Sequence, residues 1–117
     1  MAAPNIVDVT SIYGRSSGLV VTTTVTAIVS NSSSSGKVLK VNALLVANVD
    51  GTNNAAATVD LYDGTNTYHL AKAVVVPAVS TLDVLSKPIY LEEGQSIRIT
   101  AGADGDLEAV CSYEEIS

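Results

Sequence analysis

The sequence predicts an all-β fold, a single antiparallel β-sandwich (jelly-roll-like or Ig-like) of about eight strands, on three observations. Val, Ile and Thr fill 35 of the 117 positions, and β-branched side chains crowd a helix but suit a pleated surface. Turn signals rich in Gly, Asn, Asp and Ser recur about every 8–14 residues, the spacing of two packed antiparallel sheets. No stretch reads convincingly as a helix.

The elements follow in chain order. Asn5-Ile6-Val7-Asp8-Val9-Thr10 alternates behind Pro4, which cannot donate to a ladder, and reads as the start of an edge strand or a docking arm. The clearest strand spans residues 19–29. It places Leu19, Val21, Thr23, Val25, Ala27 and Val29 on one face and Val20, Thr22, Thr24, Thr26 and Ile28 on the other. Ser30 to Gly36 reads as a polar, mobile loop, and its Asn31-Ser32-Ser33 as an accidental glycosylation sequon. Lys37 to Val49 is the longest apolar run. Its alternation sets Leu39, Val41, Ala43, Leu45, Ala47 and Val49 against Lys40, Asn42, Leu44, Val46 and Asn48. Helical spacing of Val38, Val41, Leu45 and Val49 competes there, but β-branching and flanking turns favour a strand.

Beyond the turn at Asp50-Gly51, residues 56–62 and 67–72 flank Asp63-Gly64, a dipeptide suited to a tight hairpin. Val74 to Val76 ends at Pro77, Thr81 to Leu85 is a short strand, and Ser96 to Ala101 alternates cleanly. Ala103 to Asp106 turns into a last strand, Leu107 to Tyr113, with Leu107, Ala109, Cys111 and Tyr113 on one face. Residues 1–117 form one domain in this reading, with residues 1–10 a candidate N-terminal arm.

Composition bounds the function classes. The net charge of −6 falls entirely in residues 61–117, where three basic face nine acidic side chains. No basic stripe can neutralise phosphates, so neither nucleic acid nor an anionic membrane is an expected partner. The N-terminus shows no secretory signal pattern and no run of apolar residues is long enough to span a bilayer. Cys111, the lone cysteine, is expected to be a buried, inert thiol in a chain made and folded in a reducing cytoplasm. With neither Phe nor Trp, the core lacks large anchors, and burial between subunits would add stability.

No residue pattern carries chemistry. Asp50, Asp60, Asp63, Asp104 and Asp106 raise calcium, but an EF-hand loop needs further oxygen ligands and a closing Glu. Asp-Gly turns at 50, 63 and 104 explain these sites instead. His69 has no nucleophile motif beside it and too few companions for zinc. Glu92 and Glu93 are adjacent, so a strand would aim them at opposite faces, unlike the facing pair of a glycosidase. Sugar binding would need stacking platforms, and only Tyr13, Tyr62, Tyr68, Tyr90 and Tyr113 are aromatic. No catalytic residue, metal or cofactor is therefore expected.

Three stretches carry a resemblance. They are Val41 to Thr52 with Ala57 to Tyr62, then Ile89 to Arg98, then Leu107 to Ile116. Together they resemble small virion structural proteins of tailed bacteriophages, cyanophages in particular, over roughly residues 38–117. The shared motifs mark strands and turns, and no functional residue transfers by position. The resemblance implies a non-enzymatic β-sandwich of the phage particle. Its first reading is a capsid decoration (cement) protein that binds the assembled head through the major capsid protein and forms a homo-oligomer, a trimer foremost. A tail, neck or fibre component stands second and a carbohydrate-binding module third. The expected interface residues are Pro4, Ile6, Val7 and Val9 of the arm with Thr22, Thr24 and Thr26.

Overall fold

The computed structural model describes Pro4, Asn5 and residues 7–117. Among these it holds nine strands and no helix: β1 (Ile12–Val20), β2 (Thr26–Ser30), β3 (Val38–Asn48), β4 (Ala55–Tyr62), β5 (Thr67–Val76), β6 (Thr81–Asp83), β7 (Ile89–Leu91), β8 (Ser96–Ala101) and β9 (Leu107–Ile116). All ladders are antiparallel. One sheet runs β1-β9-β3, with β6 and β7 end to end along the far side of β3; the other runs β2-β8-β4-β5. The two sheets pack face to face as the all-β expectation required. Their shared core is aliphatic, led by Leu44, Leu91, Ile97, Ile99 and Leu107, with Cys111 fully buried among them.

Three local expectations are corrected. Residues 19–29 are not one strand, because the chain changes sheets there. The Val21 N–H still donates to Leu107 O (2.8 Å) in the first sheet, whereas Thr22 O already accepts from the Ala101 N–H (2.9 Å) in the second. Between them the Thr22 hydroxyl bonds within its own turn, to the Thr24 carbonyl and N–H. Meanwhile Ile12–Val20, whose Gly14-Arg15-Ser16-Ser17-Gly18 centre carries little strand signal, pairs along its whole length with β9.

The second correction lies in β3. Its register against β9 shifts between Val41 and Ala43. Because side chains alternate with period two, one extra residue at Asn42 moves the rest of the strand to the opposite face. Leu44, Val46 and Asn48 therefore point into the core, and Leu45 and Val49 lie at the surface. The third correction concerns Asn5 and residues 7–10, which form no strand: the Asp8 N–H donates to Asn5 O (3.0 Å) in a turn. Sequence-defined boundaries hold well for β8, for the end of β5 before Pro77, and for the β4–β5 hairpin. In that hairpin the Asp63 carboxylate accepts from Thr65 and Asn66 N–H groups while Gly64 takes a φ of 94°.

The sheet edges differ in how they are finished. β5 carries His69 and Lys72, shifts register twice against β4 and holds Ala73 at φ 49°. β2 is five residues long with a register shift, and β6 and β7 have three residues each. Bulges, charges and brevity are the usual means of keeping an open edge from pairing with another chain. β1 has nine residues and an unbroken register.

Candidate interaction surface

The chemistry-bearing side chains do not converge. His69 is exposed on the β5 edge, and Cys111 is sealed in the core, where burial pushes its thiol up to about 11. No group of three metal-ligating side chains occurs among the described residues. Asp50 accepts from the Thr52 and Asn53 N–H groups, bonds that hold its carboxyl below the ordinary range. Asp106 is raised, by desolvation first and by the Asp50 charge second. Asp104 caps the Thr23 N–H (2.8 Å). These carboxylates thus work as turn residues. The exposed rings of Tyr13, Tyr68 and Tyr90 sit on three different strands, β1, β5 and β7, and form no shared stacking platform.

What the polar groups do build is rigidity. Asp60, weighed above only as a calcium candidate, is 4% exposed within β4 and pairs with Arg98 Nε of β8 at 2.9 Å. The same guanidinium donates to Thr67 Oγ1 (2.9 Å) and lies 3.9 Å over the Tyr62 ring, clasping β4, β5 and β8 together. Glu115 accepts from Arg15 Nε at 2.9 Å and from Lys37 Nζ, tying β1 and the loop before β3 to β9. Lys37 first and Arg15 second hold its carboxyl low.

Two buried asparagines pin loops at opposite ends. Asn31 donates through Nδ2 to the carbonyls of Lys37 (2.9 Å) and Leu91 (3.1 Å), so the Ser30–Gly36 loop is anchored rather than purely solvated. Asn48 donates to the carbonyls of Asn53 and Val76, both at 2.9 Å. Nothing in the sequence distinguished Asn31 from the serines beside it. The burial of Asn48 is not legible either, because the Asn42 bulge is invisible in the alternation.

The expected interface residues fall in two places. Pro4 and Val9 are half-buried, Val7 is 90% exposed, and Ile6 lies outside the described residues. Thr22, Thr24 and Thr26 are all exposed, but on the crossover and the first residue of β2, so they form no strand face. A further apolar surface escaped the sequence reading: Ile12, Tyr13 and Val20 of β1 are each more than half exposed, beside Val110 at 51%.

No protein-family model and no curated protein matches the chain. Among solved structures it is similar to a pentameric capsid protein isolated from metagenomic phage sequences, solved by iodide SAD phasing. The identity is 20% and the TM-score 0.40, over 86% of this chain and 64% of that one. A second pentameric capsid protein structure from metagenomic phage sequences gives 20% identity and a TM-score of 0.40, over 86% of this chain and 60% of that one. The chain spans less than two thirds of the length of either. A likeness of this degree carries no argument about role or partners.

Proposed function

We propose that this chain is a non-enzymatic structural protein of a bacteriophage virion and, within that class, a capsid decoration protein that binds and stabilises the assembled head. The observation that carries the reading is where the phage-like stretches lie. Residues 41–52 and 57–62 fall on β3, the turn after it and β4, residues 89–98 on β7 and β8, and residues 107–116 on β9. They include the central strands of both sheets, β3 and β9 in one and β4 and β8 in the other, together with the short edge strand β7, so the resemblance follows the framework of the fold. Polar side chains spent on clasps and turns, with no metal-ligating cluster among the described residues, fit a protein whose work is done by its surface. In this reading the arm residues Pro4, Ile6, Val7 and Val9 reach the capsid or a neighbouring subunit, with Thr22, Thr24 and Thr26 as a second contact. The resemblance favours a homo-oligomer, a trimer foremost, on the capsid surface of the virion.

Labelling intact particles with an antibody raised against this chain tests the assignment. Signal over the head is the expected result. Signal confined to the tail, neck or fibres replaces the decoration role with that of a tail component, and particles free of the chain overturn the virion assignment altogether.

A further inference from the structure

We propose that β1 is a self-association edge, pairing antiparallel with β1 of a second copy of this chain about a two-fold axis at Ser16. The inference is independent of any role in a virion and starts from the direction of the backbone groups. Just before β1, Ser11 and Ser117 exchange two bonds, each N–H donating to the other's carbonyl at 2.9 Å. Just after it, the Val21 N–H donates to Leu107 O at 2.8 Å. The unbroken register places both pairs in one ladder. In such a ladder alternate residues turn their polar groups to the partner strand, so the odd-numbered residues of β1 face β9. The N–H and C=O groups of Ile12, Gly14, Ser16, Gly18 and Val20 therefore point to the open edge.

The order of side chains along β1 reads nearly the same in both directions: Ile-Tyr-Gly-Arg-Ser-Ser-Gly-Leu-Val. Antiparallel pairing about Ser16 sets Ile12 opposite Val20 of the second copy, Gly14 opposite Gly18, and Ser16 opposite Ser16. Those are the residues whose backbone groups point outward with no partner among the described residues, and five such pairs exchanging two bonds each give about ten ladder hydrogen bonds. On the other face Tyr13 meets Leu19 and Arg15 meets Ser17, in the closer, non-hydrogen-bonded spacing that favours side-chain contact. An isologous contact requires this kind of self-complementarity. The exposed Ile12, Tyr13 and Val20, each more than half open in the single chain, all gain apolar neighbours.

Charge permits the contact. Arg15 is the only charged residue in β1, and its guanidinium is already paired with Glu115 of its own sheet at 2.9 Å. The two-fold therefore joins neutral edges in a chain whose net charge is otherwise −6. No bulge, proline or lysine guards this edge, whereas each of the others is shortened, bulged or charged. Space is also available: a Cβ at Gly14 would meet nothing within 4 Å. Nine residues make a strand roughly 30 Å long. A contact confined to that length is small beside a standard interface of about 1,600 Å², so micromolar affinity is expected. The pairing gives dimers, in place of the trimer that the resemblance favours.

Ser16 provides the test, because it is exposed and sits on the axis. In sedimentation of the isolated chain from about 10 µM to about 1 mM, the native chain should pass from monomer to dimer. Ser16→Lys and Ser16→Glu each set like charges face to face and should weaken the dimer at least tenfold. An equimolar mixture of the two should recover it as a heterodimer. Ser16→Pro is a second, uncharged block: it removes an outward N–H, leaves the β9 ladder untouched, and should also weaken the dimer. A native chain that stays monomeric, or that forms trimers, overturns the proposal. So does a Ser16→Lys chain that dimerises as the native one does, or a mixture that stays monomeric.

Discussion

Cys111 illustrates how far one residue can be read from sequence. Its neighbours at 107, 109 and 113 alternate with it, and Leu107, Ala109 and Cys111 are all at most 1% exposed. With its thiol pushed up to about 11 by desolvation, almost none is thiolate at neutral pH. Cys111→Ser should cost about 1–3 kcal/mol, since a hydroxyl there is desolvated without an assured partner. Iodoacetamide should label the native thiol only as fast as the protein opens, and labelling at the rate of a free thiol would contradict this placement. Glu115 gives a pH prediction. Its folded carboxyl sits below the ordinary 4.5, so its stabilisation is fully present above that value and is lost as pH falls through the lower folded one. Both cationic partners are substantially exposed, at 40% and 50%, so screening limits the effect to about 0.5–1 kcal/mol. Glu115→Gln should make the acid side of a melting-temperature profile shallower, and an unchanged slope would remove that assignment. The Asp60–Arg98 clasp was illegible, because an Asp in a Thr-Val-Asp-Leu run looks the same whether it faces water or a guanidinium three residues inside another strand.

At the scale of elements, strand existence was legible and strand phase was not. Periodicity reports which residues alternate, but a bulge alters the face without altering composition. Leu44 and Leu45 show the consequence. Simple alternation sends Leu45 inward, whereas the shift at Asn42 leaves Leu44 fully buried and Leu45 41% exposed. Leu44→Ala should therefore destabilise by about 2–5 kcal/mol through the cavity it leaves. Leu45→Ala should stay within about 1 kcal/mol, as surface changes do. Chemical denaturation of the two variants decides between the phases, and a larger loss for Leu45→Ala would restore the unbulged strand. The missed β1 has a related cause. Two glycines and two serines at its centre have low intrinsic strand preference, and nine cross-strand pairs with β9 override it. The 19–29 run failed in the opposite sense: its Thr and Val residues have high strand preference, yet the chain must cross between sheets there, and local hydroxyl bonds stabilise the crossing.

The whole molecule is elongated, 49 × 27 × 20 Å over the described residues, and the chain just before β1 meets the end of β9. Thr10 and Ser11 N–H groups donate to Ser117 O at 2.7 and 2.9 Å, and the Ser11 and Ser117 hydroxyls lie 3.0 Å apart. Upstream, Asn5 accepts within its own turn from Val7 and Asp8 N–H groups at 3.0 Å each. Among the described residues of the stretch 1–8, Pro4, Asn5, Val7 and Asp8 belong to no strand and none is in the buried core. A chain truncated by residues 1–8 should melt within a few degrees of the intact one, because the bonds lost with the described residues are local turn bonds, each worth about 1 kcal/mol or less. If the arm docks as proposed, Val7, 90% exposed in the free chain, buries its apolar surface in the complex, and removal of residues 1–8 should weaken binding to assembled capsids at least tenfold, about 1.4 kcal/mol. Co-sedimentation of the two chains with capsids measures this directly. Equal binding would discard the arm and leave the exposed threonines at 22, 24 and 26 as the docking surface, whereas a collapsed melting temperature would show that residues 1–8 belong to the fold itself.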